Sequence, residues 1–80
     1  MQTLTRKQAI DLCGLDAVNR VDSDGPDFSH REIDDTIEFT ASVSCGDETL
    51  TAYYYQDRRY VDAVENLDEL SWTVMHYTVG

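Results

Sequence analysis

Residues 36–45 alternate strictly between apolar and polar side chains. The apolar positions are Ile37, Phe39, Ala41, Val43 and Cys45. A period of two residues is typical of a strand with one buried face. After Gly46-Asp47, residues 49–55 form a second run rich in β-branched and aromatic side chains. This pattern predicts a β-hairpin over residues 36–56, with Phe39 in the core.

The start of the chain carries the signature of a helix. Thr5 and Gln8 stand in the spacing of a capping box, in which each side chain binds a free backbone N–H of the first turn. The apolar residues that fall on one face are Ala9, Ile10 and Cys13. Gly14 then supplies a left-handed cap. We expect a short helix over residues 5–14 that packs on the hairpin through this face.

Residues 15–35 lack a sustained period. Leu15, Val18 and Val21 offer some apolar anchorage, but residues 22–27 contain only turn-forming side chains, and Pro26 ends any helix. This composition predicts an acidic loop. Phe28 and Ile33 are candidate tethers between that loop and the core.

Residues 60–70 allow two interpretations. An apolar residue at every third position, from Val61 to Leu70, is consistent with a helix of about three turns. We favour a short strand over residues 60–64 and one helical turn over residues 66–70, capped by Asn66. Residues 72–79 alternate again and predict a final strand. The fold expected for residues 1–80 is therefore a single α+β domain, in which a short N-terminal helix packs on an antiparallel sheet of three to four strands.

The charge of the chain narrows the choice of partner. Sixteen acidic residues against six basic ones give a formal net charge of −10. Residues 62–80 carry four acidic residues and no basic one. Such a surface repels nucleic acid and anionic membranes and attracts basic protein surfaces. We expect a basic partner, and no direct contact with nucleic acid or membrane.

Neither a metal site nor a catalytic site is recognisable in the sequence. Counted from Asp22, glycine stands at position four and Ile33 at position twelve. A calcium loop of the EF-hand type needs glycine at six and glutamate at twelve. The two histidines and two cysteines lack zinc-ligand spacing, and there is no glycine-rich phosphate loop. We expect a binding protein that is not an enzyme and uses no cofactor or metal.

The first residues do not resemble an export signal, and no apolar stretch is long enough to span a bilayer. These features predict a cytoplasmic protein. In that compartment Cys13 and Cys45 are expected to be reduced, buried thiols, with a disulfide between them as the alternative.

The candidate binding residues fall into three groups. The acidic residues of the predicted loop are Asp22, Asp24, Asp27, Asp34 and Asp35. The acidic residues of the C-terminal segment are Asp62, Glu65, Asp68 and Glu69. Tyr53 and Tyr55 form the third group, because they share one face of a strand and Tyr54 takes the other. Tyrosine is frequent at protein-binding hot spots. The C-terminal segment is the preferred site, because neighbouring apolar residues anchor it.

An acidic surface can occupy a groove built for DNA. Carboxylates at alternate positions of a strand are about 6.6 Å apart, close to the roughly 6.8 Å between phosphates along one DNA strand. A second possibility is neutralisation of a basic partner, as in toxin–antitoxin or nuclease–immunity pairs.

In length, charge, N-terminal helix and tyrosine-rich hairpin, the chain resembles the small acidic proteins that phages and mobile elements use against host defence, chiefly anti-CRISPR proteins. It is also similar in size and charge to the uracil-DNA glycosylase inhibitor, a DNA mimic. The resemblance includes no shared motif. It implies inhibition by docking on a nucleic-acid-binding site of a defence complex. An immunity or antitoxin-like inhibitor, or an interaction module without inhibitory role, remains the alternative.

Overall fold

The computed structural model describes the backbone of residues 3–80 and the side chains of residues 3–23, 25–26, 31–67 and 69–80. Over this range the chain forms five strands, three α-helices and one 3-10 turn. In order they are β1 (Thr3–Leu4), α1 (Arg6–Cys13), α2 (Leu15–Asp24), β2 (Asp27–Ile33), β3 (Thr36–Cys45), β4 (Glu48–Asp57), α3 (Arg58–Ala63), the 3-10 turn (Leu67–Glu69) and β5 (Val74–Val79).

The strands form one antiparallel sheet in the order β1-β5-β4-β3-β2. Helices pack against it, so the predicted α+β class is confirmed. The described residues contain five strands, however, where three to four were expected. The two additional strands are the edge strands β1 and β2, whose sequences show no alternating pattern. In the part of the chain that the structure describes, no helix is long and apolar enough to cross a membrane.

The predicted hairpin is confirmed. β3 and β4 pair from Thr36 opposite Asp57 to Cys45 opposite Glu48. The turn between them uses Gly46 at φ 61°, a backbone conformation that glycine adopts without steric cost. Phe39 lies inward and is 1% exposed.

The helix predicted at the start is confirmed as α1, with both hydrogen bonds of the Thr5–Gln8 capping box formed. Ala9 is fully buried on its inner face, and Ile10 and Cys13 pack against the core. The main neighbours of α1 are α2 and β5, and it is α2 that covers the central strands β3 and β4. The expectation that α1 itself covers the hairpin therefore needs correction.

The expectation of an acidic loop over residues 15–35 is wrong. Residues 15–24 form α2, because the three-residue spacing that places Val18 and Val21 together lets both insert into the core, where both are fully buried. Gly25, at φ 70°, and Pro26 then end the helix. β2 follows and pairs with β3. Ile33 is 40% exposed and does not tether the segment to the core, while the side chain of Phe28 lies outside the described residues.

The strand expected over residues 60–64 is also wrong. The side chain of Asp57 accepts a hydrogen bond from the backbone N–H of Arg59 and caps α3, which begins at Arg58. Residue 64 is extended, so the longer three-turn helix does not form either. The single helical turn predicted at residues 66–70 is confirmed as the 3-10 turn, and the final strand is confirmed as β5.

Cys13 and Cys45 form a disulfide, which overturns the expectation of reduced thiols. Their Cα atoms are 5.4 Å apart, because the end of α1 lies beside the end of β3. The bond closes a loop across a sequence separation of 32 residues. It lies near the β3–β4 turn, at the end of the sheet opposite to the β2–β3 turn.

Candidate functional site

The turn between β2 and β3, the end of β4 and the start of α3 meet at one end of the sheet. Thr36, the first residue of β3, pairs with Asp57, the last residue of β4. The backbone N–H of Arg58 donates to the carbonyl of Asp35 at 2.8 Å, and its guanidinium donates to the carbonyl of Asp34 at 3.2 Å. These bonds hold the turn against α3.

Residues 58–73 connect β4 to β5. They also lie at this end of the sheet, because Val74, the first residue of β5, pairs with Tyr54 near the end of β4. The Nε1–H of Trp72 donates to the carbonyl of Leu67 at 3.2 Å and fixes the 3-10 turn. Trp72 in turn packs edge-on against Phe39, with ring centroids 4.8 Å apart. We call residues 34–35 and 57–69 together the acidic end.

The two arginines of the acidic end are already neutralised. Arg58 pairs with Glu32 at 3.0 Å and Arg59 pairs with Asp57 at 3.1 Å. The hydrogen bonds from Arg59 lower the pKa of Asp57 below its usual value. Neither arginine is therefore available to neutralise the negative charge of the remaining carboxylates of the acidic end.

The unpaired carboxylates of the acidic end are exposed, and none has a basic partner among the described side chains. They are Asp34, Asp35, Asp62, Glu65 and Glu69. The fold thus brings two of the five acidic residues of the predicted loop, Asp34 and Asp35, to the same end of the sheet as the C-terminal segment, a proximity that sequence distance conceals. The side chain of Asp68, also predicted here, lies outside the described residues.

Asp22 has a different environment from Asp34 and Asp35. It lies in the last turns of α2 with its side chain 30% exposed, accepts a hydrogen bond from Tyr77 Oη at 2.7 Å and pairs with Arg6 at 3.3 Å. Burial, and then the bond to this carboxylate, raise the pKa of Tyr77. Asp22 therefore links α2 to α1 and β5. Asp24 ends α2, and its side chain, like that of Asp27, lies outside the described residues.

Tyr53 and Tyr55 share one sheet face and Tyr54 takes the other, as predicted. The face of Tyr54, which is 2% exposed, is the one that packs on the core, so Tyr53 and Tyr55 lie on the opposite face. Tyr53 stacks on His76 of β5, with ring centroids 4.5 Å apart. Its hydroxyl accepts a hydrogen bond from Thr78 at 3.2 Å. The two half-buried tyrosines are thus fixed in place by cross-strand contacts.

Glu38 on the same face was not predicted as a site residue. It is 7% exposed, accepts a hydrogen bond from Tyr55 Oη at 2.9 Å and pairs with Arg31 at 3.2 Å. Burial, followed by the bond to Glu38, raises the pKa of Tyr55 to about 12. The one sequence signal was that Glu38 is the only charged residue at the polar positions of β3.

Among the described side chains, no group of three or more histidine, cysteine, aspartate or glutamate residues is arranged to hold a metal ion. No protein-family model matches the chain, and no curated protein or solved structure matches it significantly.

Proposed function

We propose that this protein is an inhibitor of the anti-CRISPR type, which docks its acidic end on a basic, nucleic-acid-binding surface of a defence complex. It acts by occupying that surface and performs no catalysis. The observation that supports this function best is the gathering of five unpaired carboxylates at one end of the sheet, beside two arginines that are already paired.

The carboxylates project from the β2–β3 turn, from α3, from the segment between α3 and the 3-10 turn, and from the 3-10 turn itself. None of the described strands carries acidic residues at alternate positions, so a strand-borne copy of the phosphate spacing is not the basis of the proposal. The relevant property is a concentrated negative field, which accelerates encounter with a basic partner.

The acidic end is held by contacts that precede binding. Arg58 fastens the β2–β3 turn, and Trp72 fastens the 3-10 turn to the core. Because these segments are ordered before the partner arrives, little conformational entropy is lost on association. The acidic end is for this reason a better docking surface than a mobile acidic loop.

A defence complex of this kind operates in the host cytoplasm, which is the location we propose. The disulfide between Cys13 and Cys45 favours a second candidate, an immunity-like inhibitor of a basic enzyme in an oxidising compartment. Both functions use the same acidic surface. They differ in the partner, so the choice between them requires an experiment.

The test measures DNA binding by a purified CRISPR effector complex in the presence of increasing concentrations of the protein. DNA affinity should fall in proportion to occupancy. A variant with Asp35→Asn, Asp62→Asn, Glu65→Gln and Glu69→Gln should inhibit about tenfold more weakly, mainly through slower association. Inhibition by the unaltered protein should decline steeply as salt rises.

The matched control removes the same number of charges elsewhere. Its changes are Asp11→Asn, Asp16→Asn, Asp47→Asn and Glu48→Gln, all at exposed positions outside the acidic end. This variant should inhibit almost as well as the unaltered protein. Equal loss in both fourfold variants would indicate a net-charge effect without a defined surface. Protection of cells from a basic toxin, with CRISPR interference unchanged, would select the immunity-like function.

A further inference from the structure

A groove of about 570 Å³ lies between the helices and the start of β5. One wall is formed by the beginning of α1 and the end of α2, and the other by residues 72–75. Tyr54 and Tyr77, which are almost fully buried, form its floor. This volume lies in the range of clefts that hold a ligand or a large side chain.

The charged and phenolic side chains that line the groove are already engaged within the protein. Asp22 binds Arg6 and Tyr77, and Arg6 also donates to Asn19 at 3.0 Å. The hydroxyl of Tyr54 donates to the carbonyl of Val21 at 3.3 Å. A charged occupant would have to displace these bonds, so the free energy available to an occupant comes from apolar contact.

The opposite wall offers that contact. Met75 is the extra residue where the pairing of β5 with β4 shifts register, and it is 63% exposed. The half-buried Trp72 lines the same groove, with Thr73 and Val74 between it and Met75 in sequence. A flexible thioether next to an aromatic ring can adapt to apolar groups of different shape.

We infer that this groove receives a large apolar side chain, aromatic or branched aliphatic, from the basic partner that the acidic end attracts. The inference rests on the proposed function, and it names the second half of the same interface. The occupant is a protein segment in which that apolar residue is flanked by arginine or lysine.

Continuity and charge support this occupant. The chain runs directly from Glu69, in the acidic end, to Trp72, in the groove, so a single partner segment can contact both. Tight protein interfaces concentrate affinity in a few buried apolar anchors, with charged residues around them. The acidic end supplies charge, and the groove supplies apolar contact.

Trp72 makes the inference testable, because it is the only tryptophan in the chain and it lines the groove. The probes are two blocked peptides of equal charge, Arg-Lys-Phe-Arg-Lys and Arg-Lys-Ala-Arg-Lys, titrated while Trp72 fluorescence and peptide anisotropy are recorded. The phenylalanine peptide should bind about tenfold more tightly, because only its central side chain buries a large apolar area in the groove. It alone should shift the Trp72 emission.

Two variants provide a matched comparison, because Met75 and Leu12 are equally exposed and only Met75 lines the groove. Met75→Asp should abolish the preference for phenylalanine, and Leu12→Asp should preserve it. Equal affinity for both peptides without a Trp72 response would overturn the inference. The proposed function would survive that result if the acidic-end variant weakened both peptides, and would fail if that variant bound both normally.

Discussion

The hydroxyl of Tyr77 donates a 2.7 Å hydrogen bond to the carboxylate of Asp22 and so connects β5 to α2. Arg6 binds the other oxygen of the same carboxylate, which brings α1 into the contact. One acidic side chain thereby fixes three elements around the groove. The hydrogen bonds from the Tyr77 hydroxyl and the Arg6 guanidinium compensate for the hydration that this partly buried carboxylate loses.

Stability should fall at alkaline pH. Burial and hydrogen bonding to carboxylates raise the pKa of Tyr77 and bring that of Tyr55 to about 12, whereas an unfolded chain has tyrosine pKa values near 10. The unfolded state therefore loses these protons first. The free energy of unfolding should be fully retained below pH 10 and decrease as pH rises from 10 through 12.

Urea unfolding followed by circular dichroism between pH 8 and 12 measures this effect. A variant with Tyr55→Phe and Tyr77→Phe is less stable at pH 8, but its stability should decline less between pH 10 and 12. An equally steep decline in the double variant would assign the alkaline transition to other groups.

Phe39→Ala should lower the free energy of unfolding by roughly 3–5 kcal/mol, because it leaves a cavity in the core. Phe39 is 1% exposed and packs edge-on against Trp72. Urea unfolding measures the loss, and Phe39→Leu, which keeps most of the volume, should cost less. A loss below about 1 kcal/mol would show that the core tolerates the cavity and that its packing is not as described.

Opening the disulfide should destabilise the protein without weakening partner binding. A closed loop across 32 residues restricts the unfolded chain, and its loss should cost about 3–4 kcal/mol. Urea unfolding of the variant with Cys13→Ser and Cys45→Ser measures this loss of unfolding free energy. Because the bond lies at the opposite end of the sheet, effector inhibition by the folded variant should be unchanged. If inhibition fell in proportion to the loss of stability, the disulfide would also support the acidic end, at the other end of the sheet.

Calcium and zinc should not change thermal stability. Residues 22–24, which superficially resemble part of a calcium loop, belong to α2, and Asp22 is engaged by Tyr77 and Arg6. Melting temperatures measured with chelator, with calcium and with zinc should agree within error. An upward shift at micromolar calcium would contradict this assignment.

The elements that could be predicted from the sequence are those determined by side chains within the element itself. The alternation of β3 and the capping box of α1 are local signals, and both elements formed as expected. α2 was missed because its three-residue apolar spacing runs directly into a turn-forming segment, which obscured a helix extending to Asp24. β2 was missed because its pairing with β3, rather than any alternation of its own, makes it a strand.

The candidate site was predictable only in part. The C-terminal acidic segment and the orientation of Tyr53 and Tyr55 followed from local pattern. The approach of Asp34 and Asp35 to that segment did not, because it depends on the register between β3 and β4. The pairing of Cys13 with Cys45 likewise depends on how α1 crosses the sheet, which no spacing in the chain encodes.

The covalent ring closed by Cys13 and Cys45 also limits how two copies of the chain can exchange parts. Domain exchange needs a hinge that opens and releases one element to a neighbour. While the ring is closed within one copy, α1 remains tied to β3, and α2 and β2 are tethered at both ends. Gly14 and Gly25, the natural hinges, therefore cannot release a free segment. The oxidised chain can exchange only elements that lie outside the ring and are not tied to it through Cys13, whereas the reduced chain also has α1, α2 and β2 available for exchange.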